Sequence, residues 1–296
     1  MMTLPSIHLM QFFLTLSLGL VVGSFLNVVI ARLPQGRSIV RPPSHCPQCQ
    51  TPIRWYDNVP VFSWLVLLRG KCRSCKAAIS ARYPLVELLT ALLFLASWSR
   101  FGWNWSLWLR DWPLMAALVA VTFIDLDLRI IPDEISLGGL VWGLLTCFLD
   151  PRLGVIGALA GAALGFGVFY GFAWVYWFLT KRSGLGGGDI KLLAMLGAFV
   201  GVGGVFSTIL ISSVLGSVIG ILTAVVEKRR RKGSLSPGLP SGLSSADGES
   251  VPTSELQASD DSVLKTAIPY GPFLVIGAIS YHLLGDAPWF PFTIPM

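Results

Sequence analysis

The stretch SGLGGGDIKLLAMLGAFVGVGG, residues 183–204, opens an apolar run that continues to residue 226 and decides how the rest of the chain is read. As one helix, the 37 residues from 190 to 226 would reach about 55 Å, nearly twice the ~30 Å hydrocarbon core of a bilayer. GVGG at 201–204 is a turn signal, so the run divides into two spans, 190–202 and 205–226. One aspartate, Asp189, stands at the mouth of the run behind Gly184, Gly186, Gly187 and Gly188. A carboxylate beside lipid is costly, and an N-cap for the helix that follows accounts for an aspartate but not for four glycines. Glycine lets backbone open and approach another chain closely, so the glycines point to a cavity that admits an extended peptide.

The rest of the composition agrees with a membrane chain. Of 296 residues, 53% are apolar and only 13% charged, about half the charge of a soluble domain. Further apolar runs lie at 7–30, 84–100, 112–130, 134–150, 153–179 and 271–287. The expected fold is an all-α polytopic membrane protein with about eight transmembrane helices. The first run lacks a basic n-region and an A-x-A site, so it is read as a retained span. Residues 31–83 hold nine Lys or Arg against one acid, Asp57, which places them in the cytoplasm. Eight spans then return Asp125–Asp133, Lys181–Asp189 and EKRRRK (227–232) to the same side. Residues 227–268, rich in Ser, Gly, Pro and acids, read as a flexible cytoplasmic loop. No internal repeat is evident.

The 31–83 segment carries CPQC (Cys46, Cys49) and CRSC (Cys72, Cys75), 22 residues apart. Each C-x-x-C aims two thiolates at one point, and two such knuckles supply a tetrahedral zinc site. A small loop domain with little core gains from such a staple. Cytoplasmic placement argues against structural disulfides, and one redox motif needs no second. A closed four-thiolate site leaves no position for hydrolysis. His45 is a possible substitute ligand or a surface histidine, and the fifth cysteine, Cys147, reads as packing.

In FIDLDLRIIPDEIS, Asp133 and Glu134 follow Pro132 and suit the first turn of a helix. Asp127 reads as facing the aqueous boundary near Arg129, whereas Asp125 sits deepest, at the cytoplasmic end of the third span. Asp125 and Asp189 therefore share a depth. Two carboxylates held together can divide the work of an aspartic protease, one ionised to take a proton from water and one protonated to donate to the peptide carbonyl. Sequence shows equal depth but not contact. No H-E-x-x-H and no phosphate loop appear, and His8, His45 and His282 are scattered; no nucleic-acid partner is expected.

Six segments in order, GSFLNVVIARLP (23–34), CPQCQTPIRWYDNVPVFSWL (46–65), RGKCRSCKAAISARYPLVELLTA (69–91), FIDLDLRIIPDEISL (123–137), GGGDIKLLAMLGA (186–198) and IPYGPFLVIGA (268–278), resemble the bacterial prepilin peptidases with GxGD-type aspartic sites. The resemblance implies that Asp125 and Asp189 are the catalytic pair. It implies cleavage of the basic leader of type IV prepilins or pseudopilins after glycine, at the cytoplasmic face of the bacterial inner membrane. It further implies N-methylation of the new N-terminus, commonly phenylalanine, from S-adenosylmethionine, with Gly70 and Lys71 at positions tied to that transfer. The division expected is 1–30 first span, 31–83 zinc loop, 84–226 transmembrane peptidase core, 227–268 loop and 269–296 last span. Membrane lipid is the other partner. Asn27, Arg32 and Glu87 are polar at the level of the aspartates and are expected to line or hold the site. The rival readings are a GxGD protease without methyl transfer, an ion-coupled transporter and a zinc-loop scaffold.

Overall fold

A computed structural model describes residues 4–182, 186–234 and 269–285. Seven helices account for most of them: α1 (Leu4–Arg32), α2 (Arg82–Phe101), α3 (Trp112–Leu128), α4 (Asp133–Leu145), α5 (Gly154–Thr180), α6 (Gly187–Ser234) and α7 (Gly271–Leu284). A π-helical turn, Leu107–Asp111, leads directly into α3. Five of these stretches are long and apolar enough to cross a membrane. The four-cysteine segment lies between α1 and α2, so one end of the helix bundle carries it; we refer to this as the module end.

α6 is two helices joined at a break. Gly201 has φ 68° and ψ −172°, a conformation that only glycine adopts without strain, and the chain reverses there. Before the break, Met195 packs at Gly139 and Phe199 at Gly143 of α4, so this arm runs parallel to α4 away from the module end. After it, Gly204, Thr208 and Gly216 meet Tyr281, Gly277 and Phe273 of α7, so the second arm runs back. With the two arms counted separately the described residues form eight helical segments, as expected, and the break falls in the GVGG turn. α4, at 13 residues, is about 20 Å long, and α7 at 14 residues is similar. Helix continues through EKRRRK to Ser234, in keeping with the helix propensity of Glu, Lys and Arg, so residues 227–234 extend α6. Residues 235–268 of the expected loop lie outside the described residues.

The break frees backbone carbonyls, and these need donors where no water reaches. Arg110 supplies them. It is fully buried (0% exposed), its Nη2 donates to the carbonyls of Phe199 at 2.8 Å and Ala198 at 3.4 Å, and its Nη1 donates to Gly143 at 3.3 Å. Its guanidinium also stacks 4.9 Å over the Phe199 ring. The core gathers around the first arm of α6, where Leu192, Leu193, Met195 and Leu196 pack on Met115, Leu118 and Val121 of α3 and Leu274 of α7.

Aromatic side chains mark both ends of the bundle, as interfacial belts do. Trp174 and Trp177 stand exposed at the module end of α5, where Lys181 Nζ lies 4.6 Å over the Trp177 ring. Trp103, Trp108 and Trp112 cluster at the other end.

Candidate active site

The cysteine module is built twice from one backbone pattern. In the first knuckle Ile53 N–H donates to Ser44 O, Cys46 N–H to Thr51 O and Gln50 N–H to Cys46 O; in the second, Ile79 donates to Gly70, Cys72 to Ala77 and Lys76 to Cys72. Gln50 and Lys76 take the same left-handed φ, 57° and 60°, and the bridges His45–Pro52 and Lys71–Ala78 close the two units. The expectation of no internal repeat is corrected here: the repeat lives in main-chain hydrogen bonds, and only the C-x-x-C spacing writes it into side chains. A 3-10 turn, Trp55–Asn58, and a π-helical turn, Ser63–Leu67, join the units. Arg73 clamps the second unit to this link through Asp57, with contacts of 2.6 to 3.2 Å.

The knuckles bring Cys46, Cys49, Cys72 and Cys75 together, all Sγ atoms within 4.8 Å of one another. Cys46 Sγ lies 3.8 Å from Cys75 Sγ, and Cys49 Sγ 3.9 Å from Cys72 Sγ. Tetrahedral ligands at a zinc–sulfur distance of about 2.3 Å stand about 3.8 Å apart, so the set fits a metal. The electrostatics agree. Hydrogen bonding by the Thr51 side chain and backbone lowers Cys49 to about 6, and backbone hydrogen bonds near Cys75 and Ser74 lower Cys72. At Cys75 the Ala77 backbone works to lower the thiol, but desolvation and the neighbouring sulfurs push it up to about 11. Four sulfurs this close cannot all ionise unaided; a dication removes that conflict. His45 is outside the cluster, with Nδ1 3.3 Å from Pro43 O.

Asp125, in the last turn of α3, is 5% exposed. Its Oδ2 accepts the N–H of Gly271, at the start of α7, at 2.9 Å. The approach is tight: a Cβ on Gly271 would lie 2.6 Å from that oxygen. Asp189 is half-buried in the first turn of α6. The two carboxylates lie close enough for their charges to act on each other. Gly184 lies outside the described residues. Gly187 and Gly188 are helical; a Cβ on Gly188 would come within 3.0 Å of Ile131 Cβ, so Gly188 seats α6 against the α3–α4 link, whereas a Cβ on Gly187 would meet open space. Lys191 Nζ binds both Asp133 oxygens at 2.7 Å, tying the starts of α4 and α6. Asp127 pairs with Arg82 at 2.5 Å.

Of the other polar residues expected near the aspartates, Arg32 turns to Ser38 O, whereas Asn27 and Glu87 line a different space. A cavity of about 400 Å³ separates the cysteine module from α1 and α2. Ser24, Asn27, Tyr83 and Glu87 bound it from the helices, and Trp64, Ile79 and both knuckles from above. Gly70 and Lys71 are not among its lining residues; they stand in the second knuckle behind the wall. Sequence alone missed the cavity. Its one signal was the clustering of Ser24, Asn27 and Glu87 at matching levels of two apolar helices.

Residues 17–101 match the Bacterial Peptidase A24 N-terminal domain, and residues 112–221 match the Type IV leader peptidase family. The chain is 39% identical to the prepilin leader peptidase/N-methyltransferase of Myxococcus xanthus, across 94% of this chain and 91% of that protein. The chain belongs to the type IV leader peptidase family. The Stutzerimonas stutzeri member, of the same name, is 40% identical across 92% of this chain and 90% of its own length. An Escherichia coli member, named as a type 4 prepilin-like proteins leader peptide-processing enzyme, is 40% identical across 69% of this chain and 82% of its length. No solved structure matches the chain. In leader peptidase terms, the A24 N-terminal match spans most of α1, the cysteine module and α2, and the peptidase match spans α3 to α6 with both aspartates.

Proposed function

We propose that this leader peptidase removes the basic leader of type IV prepilins or pseudopilins at the cytoplasmic face of the bacterial inner membrane, and N-methylates the residue so exposed. The observation that supports the reading is that Asp125 and Asp189, from different helices, lie at the same module end of the bundle and within range of each other's charge. A prepilin joins a basic leader to an apolar helix, so its scissile bond comes to rest at that membrane edge. One aspartate takes a proton from the attacking water while the other gives one to the peptide carbonyl. The Gly271 N–H holds the Asp125 carboxylate in one orientation.

Zinc at Cys46, Cys49, Cys72 and Cys75 is structural in this reading, because four protein ligands close the coordination sphere. S-adenosylmethionine, when bound, supplies an electrophilic methyl group. The nine basic residues of 31–83 favour a cytoplasmic position for the module end. The test is mass spectrometry of a prepilin incubated with purified enzyme and S-adenosylmethionine. The expected product lacks its leader and carries one added methyl; an intact prepilin with folded, zinc-loaded enzyme overturns the reading.

A further inference from the structure

Glu87 sits where a carboxylate is expensive. It lies in the second turn of α2, is 7% exposed, and forms part of the floor of the cavity beneath the cysteine module. Its Oε2 accepts the N–H of Val61 at 2.7 Å, and the Ser24 side chain is its second partner. A carboxylate has about four acceptor positions, so capacity remains for another donor. The two arginines that line the same cavity are engaged elsewhere: Arg73 on Asp57, and Arg54 on the Tyr56 hydroxyl at 2.5 Å. Among the described residues no cation pairs with Glu87, and an ionisable group buried in a membrane helix is a functional feature by default.

The backbone around it is also forced. Val61 has φ 58°, an outlier for a β-branched residue, and this conformation accompanies the N–H that reaches Glu87. Strain of this kind gathers at functional sites, as do π-helical turns, and the turn Ser63–Leu67 follows at once. Gly70 supports the opposite wall. Its N–H donates to Trp64 O, its carbonyl accepts from Ile79 N–H, and Trp64 Nε1 donates to Ile79 O at 3.1 Å. With φ 70° and the Trp64 ring 3.3 Å from where a Cβ would stand, a side chain at Gly70 presses on Trp64, a lining residue.

The cavity adjoins the aspartates through the start of α2. Arg82 donates to Phe123 O at 3.2 Å and pairs with Asp127, on either side of Asp125. The next residues, Tyr83, Pro84 and then Glu87, line the cavity. An N-terminus released at the aspartates has a carboxylate-floored space beside it at the same end of the bundle.

We propose that this cavity is the methyl-transfer chamber and that Glu87 binds the freed α-amino group of the processed pilin and accepts its proton. The assignment rests on the methyl-transfer reading above. A new α-amino group has a pKa near 8 and is mostly ammonium at neutral pH, so it needs a partner that holds it and then removes a proton. The nitrogen lone pair then forms the N–C bond as the methyl–sulfonium bond breaks, the electron pair staying on sulfur; the amine proton passes to Glu87 and on to water. A cavity of about 400 Å³ lies within the usual range for small-molecule sites.

The experiment compares full-length wild type with Glu87→Gln, Glu87→Asp and Ser24→Ala. The acceptor is a synthetic pilin peptide with a free N-terminal phenylalanine, with S-adenosylmethionine as donor; intact prepilin reports cleavage and metal analysis reports the module. Glu87→Gln is expected to slow methylation about 100-fold or more while zinc content and cleavage hold. Its residual rate should climb through about pH 8 as free amine forms, a rise the wild type lacks, and Glu87→Asp should recover part of the loss. Undiminished methylation in Glu87→Gln overturns the assignment. If Glu87→Gln loses zinc and cleavage together, Ser24→Ala decides: a several-fold methylation loss alone upholds the assignment, and full methylation overturns it. No methylation by wild type overturns the methyl-transfer reading itself.

Discussion

The Asp125 carboxylate takes the main-chain N–H of Gly271 at 2.9 Å, joining the end of α3 to the start of α7 across 146 positions of sequence. No side chain fits at that junction, since a Cβ there would stand 2.6 Å from Oδ2. Gly271→Ala is therefore expected to displace the carboxylate rather than the fold. A misplacement near 1 Å costs on the order of 100-fold in rate, so prepilin cleavage should fall by about that factor with the melting temperature little changed. Cleavage kinetics and a thermal melt in detergent check this together.

Asp125→Asn and Asp189→Asn should each abolish cleavage while the protein still inserts and retains zinc. Either asparagine variant that still cuts removes that residue from the pair. Methylation of a pre-cleaved peptide should survive both changes, because the cavity is lined by neither residue.

Metal analysis of purified protein should find one zinc per chain, lost on Cys72→Ser with Cys75→Ser. Protons compete with metal for thiolates. Thr51 lowers Cys49 to about 6 while desolvation and the neighbouring sulfurs hold Cys75 up at about 11, so zinc retention should decline as pH falls. Loss of methylation should track loss of zinc, and cleavage should persist further into the acid range.

The Asp57–Arg73 pair gives a second pH signature. The Arg73 hydrogen bond holds the Asp57 carboxyl below its usual range. A depressed folded pKa adds stability above the unfolded value, about 4, that is lost as pH falls through the lower folded one. Asp57→Asn should therefore mimic strong acid at neutral pH. Arg73 is half-exposed, 48% by side chain, so screening keeps the effect small. Zinc release to a chelator should speed by about two- to fivefold.

Arg110→Leu should leave the carbonyls of Gly143, Ala198 and Phe199 without their donor. Each orphaned buried group costs about 1–3 kcal/mol, so the variant should melt well below wild type in detergent. Arg110→Lys should fall between them, since one ammonium does not reproduce a planar fork.

Much of the architecture was legible in the sequence because lipid imposes it locally. Apolar runs of set length must be helices, and GVGG had to break the longest one. The four cysteines were legible because C-x-x-C spacing dictates knuckle geometry, and Asp125 and Asp189 stood out as carboxylates at the mouths of apolar helices. What remained hidden depends on pairs distant in sequence. Nothing in the sequence marked Arg110, yet packing draws it into the core, where it donates to carbonyls beside the break at Gly201. Asn27 and Glu87 shared a level with the aspartates but line a neighbouring space, since α1, α2 and the cysteine module enclose the cavity and no residue of α6 lines it. The sequence by itself determined the helices, their apolar character and the four cysteines that could hold a metal. Tertiary structure alone decided which polar groups face one another, because side-chain encounters between helices depend on rotation and packing that periodicity within one helix does not encode.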